Sequence, residues 1–105
     1  MAEPPQLTTE QRQKALEKAG EVRRRRAEVK AKLKMRSMSL SELLDQAETD
    51  EVVAGTKVLA ILESLPGMGK IRARKMMEEI GIADSRRIRG LGDQQRASLL
   101  ARCGD

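Results

Sequence analysis

Pro66-Gly67-Met68-Gly69-Lys70 sets two glycines and a lysine within five residues, a spacing suited to holding an anion. Glycines open backbone angles closed to other residues and leave no side chain between main chain and ligand. A helix starting at Gly69 turns its free N–H groups outward and adds the positive end of its dipole, so a phosphate can sit there with Lys70 at the mouth. Phosphate chemistry of the nucleotide-hydrolysing kind is excluded. A P-loop needs glycine at position 64, which is Ser64, and Ser or Thr after the lysine, where Ile71 stands. A dinucleotide fingerprint would need a third glycine at Arg72. What remains is a helix–turn–helix start for a phosphate that is bound and not cleaved, with Arg72 and Arg74 next in line.

A second cluster, Ser85-Arg86-Arg87-Ile88-Arg89-Gly90-Leu91-Gly92, crowds three arginines into four residues. Their mutual repulsion favours an anion among them, and the planar guanidinium suits phosphate oxygens. The bland alternative is a solvated charge run, weakened by the second glycine-marked helix start beside it at Gly92. Arg23, Arg24, Arg25 and Arg26 form a third group. Four consecutive residues spread around a helical turn, so they cannot make one flat patch, and only some of them are candidate contacts.

Composition points the same way. The 105 residues carry net charge +5, unevenly placed. Residues 10–36 hold eleven basic and four acidic side chains, residues 37–65 one and six, residues 66–105 nine and five. Two basic segments flanking an acidic one suit a nucleic acid. There is no aromatic residue, which removes the stacking platforms of single-strand binders. No histidine is present, and Cys103 is the lone cysteine, so zinc, a histidine general base and an internal disulfide are not expected. No metal or other cofactor is called for. The longest apolar run, 58–62, is far too short for a membrane span. The N-terminus lacks the pattern of a secretion signal, and a reducing cytosol is expected.

These groups need helices to position them. Pro4-Pro5 predicts an extended tail over 1–7. Thr8 with Gln11 predicts a capping box opening a long basic helix over about 8–37, weakened at Gly20. Its apolar stripe of Ala15, Ala19, Val22, Val29 and Leu33 is thin, so it packs at one end and projects at the other. Ser39 with Glu42 caps a short helix with Leu40, Leu43, Leu44 and Ala47 inward. A single turn follows at 50–55. Thr56 is expected to cap a third helix, with Val58, Leu59, Ile61, Leu62 and Leu65 central, ended by Pro66. Gly69 to about Ile80 forms the next helix, closed by Gly81. Residues 85–89 read as a polar, basic connection, and the last helix holds Ala97, Leu99 and Leu100. Nothing alternates with period two, so the fold is all-α.

Two resemblances rest on these residues. Residues 65–100, LPGMGKIRARKMMEEIGIADSRRIRGLGDQQRASLL, resemble the helix-two-turns-helix module of a small-subunit ribosomal protein and of formamidopyrimidine-type DNA glycosylases. From about Pro5 to Arg102 the chain is similar to the actinobacterial integration host factor family, through LTTEQRQKALEKA, DEVVAGTKVLAILESLPGMGK and RRIRGLGDQQRASLL. The resemblance implies a helix-two-turns-helix domain over 38–105 and a nucleoid-associated architectural protein of the cytoplasm. It also implies little sequence preference on duplex DNA and a role as host cofactor beside phage integrase–DNA complexes. Phosphate contacts are implied for Lys57, for Gly67, Met68, Gly69 and Lys70, and for Arg86, Arg87, Arg89 and Gly90. Lysine is expected where Gly55 stands, and an aromatic where Cys103 stands. A monomer without catalytic residues is expected. The alternatives are a binder of ribosomal or structured RNA, disfavoured because no long basic C-terminal tail follows, and an enzyme. For the enzyme, Met1-Ala2-Glu3 offers no useful nucleophile. Asp45, Glu48, Asp50 and Glu51 read as solvated helix ends before they read as a metal site.

Overall fold

The structure, a computed structural model, describes residues 8–103 and is all-helical; the expected tail over 1–7 lies outside the described residues. Six α-helices follow one another: α1 (Thr9–Lys34), α2 (Leu40–Ala47), α3 (Glu51–Ala54), α4 (Val58–Glu63), α5 (Gly69–Ile80) and α6 (Asp93–Cys103). A 3-10 turn, Ile88–Gly90, precedes α6. No strand is present among the described residues, only an isolated antiparallel bridge between Lys57 and Arg87.

Both capping boxes form. Thr8 Oγ1 accepts from the Gln11 N–H at 3.1 Å, and Gln11 Oε1 accepts from the Thr8 N–H at 2.9 Å. Ser39 and Glu42 repeat the exchange at 3.1 and 3.2 Å. Each removes orphan N–H groups that the first helical turn cannot satisfy. Helix α1 ends differently from a glycine stop. Arg36 takes the left-handed conformation, φ 62°, while the Ser37 N–H donates back to Lys32 O at 2.8 Å.

Helix α1 is anchored at its C-terminal half alone. Ala15 and Ala19 face solvent, Val22 and Val29 are half-buried, and Leu33 is buried in the core. The molecule is correspondingly long, 56 × 31 × 26 Å. The core gathers Leu33 of α1, Leu40, Leu43 and Leu44 of α2, and Val53 of α3. Val58, Ile61 and Leu62 of α4, Ala73 and Met77 of α5, and Leu99 of α6 complete it with Ile82 and Ile88. Leu62 and Met77 are fully enclosed, and Ala73, also at zero exposure, lets α5 approach α4 closely.

Two sequence expectations are corrected. Thr56 does not cap α4: its hydroxyl donates to Val52 O at 2.9 Å, and Lys57 holds the N-cap position without a side-chain bond. A buried hydroxyl takes the nearest free carbonyl, here one turn back on α3. Residues 85–89 are not wholly polar surface, since Ile88 is buried between its arginine neighbours. Ala97 faces solvent, and Leu99 carries the inward face of α6.

Asp50 caps α3, its Oδ1 accepting from the Val52 N–H at 3.0 Å and the Val53 N–H at 3.4 Å. Its other oxygen takes Arg25 of α1 and Gln46. Burial pushes the Asp50 carboxyl upward, but the bonds from Gln46, Val52 and Val53 and the Arg25 charge outweigh it, so it lies below its ordinary 3.8. A depressed carboxyl stabilises the fold above its unfolded pKa and loses that contribution as pH falls through the folded value. Asn at position 50 keeps a capping oxygen but not the charge. Urea midpoints of wild type and Asp50→Asn are therefore expected to differ most at neutral pH and to converge as pH falls through the lowered folded value. A gap that stays constant with pH would show that the charge contributes nothing.

Candidate nucleic-acid interface

The first grip is the turn between α4 and α5. Helix α4 closes at Ser64, two residues before Pro66, as the bias of pre-proline residues against helix predicts. Gly67 and Gly69 both take positive φ, 74° and 70°, bracketing Met68. Beyond the adjoining backbone and chain neighbours no atom lies within 4 Å of where a Cβ would stand on either glycine, so both face open space. Met68 is half-buried against the core and pins the turn, while Arg72 Nη1 donates to Gly67 O at 3.1 Å and braces it from α5. Gly69 and Lys70 are exposed at the α5 N-terminus. Lys70 and Arg74, four residues apart, share one exposed strip of the helix. The first-turn N–H groups, their dipole and these cations make this helix end chemically suited to an anion.

The second grip lies at the other end of α4. The Val58 N–H donates to Arg86 O at 2.9 Å, and the Ile88 N–H donates to Thr56 O at 3.0 Å. This bridge ties Lys57 to Arg87 across the chain, so basic residues thirty apart in sequence stand side by side. Burial of Ile88 fixes the segment from below and leaves Arg86 and Arg89 exposed on either side. Arg86 folds over Gly90, donating to its carbonyl at 2.8 Å, and a Cβ on Gly90 would come within 2.9 Å of Arg86 Cδ. Lys57 is exposed beside them.

The arginine run of α1 is divided by its surroundings. Arg23 and Arg24 are exposed. Arg25 forms an ion pair with Asp50. Arg26 reaches the Gly55 carbonyl at 3.3 Å, the same oxygen to which Arg87 donates. Gly55, where lysine was expected, is buried, and a Cβ there would stand 3.1 Å from Glu51 O and 3.3 Å from Arg26 Nη2. The sequence carried no signal for this meeting, because it depends on a backbone oxygen. Cys103, where an aromatic was expected, is half-buried with Sγ 3.9 Å from Met76 Sδ.

Three of the four acidic candidates are engaged elsewhere. Arg96 of α6 bonds Asp45 at 2.8 Å and Glu48 at 3.4 Å, and Asp50 holds Arg25. No helix of the described residues is long and apolar enough to cross a membrane.

Comparison with known proteins places this arrangement among relatives. A family model described as an S13-like H2TH domain matches residues 33–103. The Integration host factor of Streptomyces coelicolor is 57% identical over 99 residues, covering 94% of this chain and 92% of that protein. That of Mycobacterium tuberculosis is 53% identical over 100 residues, 95% of each. That of Mycolicibacterium smegmatis is 55% identical over 96 residues, 91% of each. A solved structure described as sIHF bound to an 8bp palindromic DNA superposes with a TM-score of 0.82 at 52% identity, over 84% of this chain and 99% of that one.

Proposed function

This chain belongs to the actinobacterial integration host factor family, and on that premise we propose that it is a nucleoid DNA-binding protein that shapes duplex DNA by gripping its phosphates. The observation that carries the reading is the placement of two basic, backbone-lined grips at the two ends of α4. Six helical residues span about 9 Å, so the grips suit phosphates a few nucleotides apart at a 3.4 Å rise per nucleotide. Gly67, Met68, Gly69, Lys70, Arg72 and Arg74 serve one end. Lys57, Arg86, Arg87, Arg89 and Gly90 serve the other. The likeness to a DNA-bound relative supports a duplex as the ligand.

Specificity is low in this reading. Both grips present backbone amides and cations placed for phosphate oxygens, and phosphate contacts carry no sequence information directly. The protein acts by binding and not by catalysis, as a monomer, and serves as host cofactor where phage integrase recombines DNA. The 38–105 segment forms the binding domain.

With about six phosphates neutralised, log affinity is expected to fall against log salt with a slope near −5. Gel shifts on unrelated duplexes across a salt series measure it. An affinity indifferent to salt, or confined to one sequence, would defeat the reading. Because the matching family model is described as S13-like, structured RNA is the second ligand to try. A competition in which ribosomal RNA displaces duplex DNA would reverse the choice.

A further inference from the structure

Gly55 is the C-cap of α3, and its carbonyl has no helical partner: no backbone amide among the described residues donates to it. Two guanidinium groups do instead. Arg87 Nη1 reaches it from the segment after α5, and Arg26 Nη2 reaches it from α1 at 3.3 Å. A carbonyl has two lone pairs and can accept both, but it carries no net charge to offset two cations.

Three other arginines are each compensated by a carboxylate, and the two exposed ones that bond carbonyls, Arg72 at Gly67 and Arg86 at Gly90, stand alone on theirs. Arg25 has Asp50, Arg96 has Asp45 and Glu48, and Arg102 has Glu79. Among the described residues no ion pair includes Arg26 or Arg87. Arg26 is moreover held at a cost, since its Nε is shut off from solvent and has no hydrogen-bond partner. Two like charges are thus converged on one oxygen in a part-buried setting, where their repulsion is less screened than in water. An anion bridging them relieves that repulsion, and the planar fork of each group suits phosphate oxygens. A Cβ at 55 would crowd Arg26 Nη2 at 3.3 Å, so glycine there leaves the guanidinium room.

We propose that Arg26 and Arg87, assembled on the Gly55 carbonyl, form a paired guanidinium clamp for a single phosphodiester of the bound duplex. The clamp rests on the DNA-binding reading above. It brings α1 into the same footprint as the arginine cluster through Arg26, while Arg25 stays committed to Asp50.

Fluorescence anisotropy of the full chain on a 20-bp duplex across a potassium chloride series tests it, with Arg26→Ala, Arg87→Ala, both together, and Lys70→Ala for reference. Each clamp variant is expected to bind about five- to tenfold more weakly. The double variant should be little weaker than Arg87→Ala alone, and its salt slope should fall by about one, since one phosphate is lost. In a Lys70→Ala background the full Arg26→Ala loss should persist. Additive losses with a slope change of about two would overturn the clamp, as would an Arg26→Ala chain that binds like wild type.

Folding is checked by circular dichroism, and nitrogen-15 spectra of wild type give an arm free of mutation. On titration with the duplex, the Arg26 and Arg87 side-chain Nε–Hε resonances should move together. An Arg26 resonance that stays still while backbone shifts at 67–70 move overturns the clamp and leaves DNA binding standing. A wild-type chain that ignores the duplex overturns both.

Discussion

Replacing Arg86, Arg87 and Arg89 together by alanine is expected to lower affinity for every duplex alike by about a hundredfold and to flatten the salt slope by up to about 3. Partly exposed charge-assisted contacts contribute about 1 kcal/mol each, and three such losses amount to about two orders of magnitude. The slope responds because it counts neutralised phosphates and not total contacts. The fold should survive. Arg86 and Arg89 are exposed, and the segment is held by the buried Ile88 and by two backbone bonds that alanine leaves intact. Arg87 shares the Gly55 carbonyl with Arg26, which still donates to it in the variant, so the stability change is expected to stay well below the binding defect. Anisotropy on three unrelated duplexes, with circular dichroism for each variant, reads both effects. Unchanged binding would reduce the cluster to surface charge. A loss confined to one duplex would mean that the arginines read bases.

How much of this was legible beforehand follows from the range of the forces involved. The capping boxes at Thr8 and Ser39 are local, each closed within four residues, and the sequence predicts both. Helix α5 was predictable at both ends for the same reason. Gly69 opens it, and Gly81, at φ 87°, closes it with the Ile82 N–H donating to Met77 O at 2.8 Å. Thr56 misled because a cap and a back-bond differ only in which free group the hydroxyl meets, and tertiary packing decides that. Ile88 misled because one apolar residue among arginines has no periodicity to betray burial. The two basic clusters were visible as composition, and the positive φ of Gly67 and Gly69 as glycine spacing. The bridge that joins Lys57 to Arg87 was not, since it is made of main-chain atoms thirty residues apart. Nor was the division of the arginine run, where Arg25 and Arg26 are claimed by α3 and its cap while Arg23 and Arg24 remain outside.

The same division explains why a thin apolar stripe is enough to seat α1. Leu33 alone is fully buried, yet the helix is also tied to α3 by Arg25 at Asp50 and by Arg26 at Gly55. Polar ties supplement the small apolar area, and they place cationic groups beside the second grip.

The largest effect at the first grip is expected from its glycines. With φ at 74° and 70°, alanine at both 67 and 69 would cost about 1–2 kcal/mol per position in backbone strain. A small domain with roughly 5–15 kcal/mol in hand remains folded at 25 °C with a lowered midpoint. Beyond the adjoining backbone and chain neighbours no atom stands within 4 Å of either added Cβ, so strain and not collision is the cost to the fold. In the proposed bound state that open space is where the phosphodiester comes against the main chain. Two methyl groups there, and a turn relaxing away from positive φ, withdraw the amide donors of α5. The expected loss is about 2 kcal/mol of binding, roughly thirtyfold. Gly81→Ala is the control, because it carries a comparable strain at φ 87° but lies at the far end of α5. Measured well below both melting midpoints, Gly67→Ala/Gly69→Ala should bind weakly while Gly81→Ala binds like wild type. Equal binding by the two would show that strain anywhere in α5 is tolerated and that the turn does not touch the duplex. Equal losses would show that the defect is one of stability.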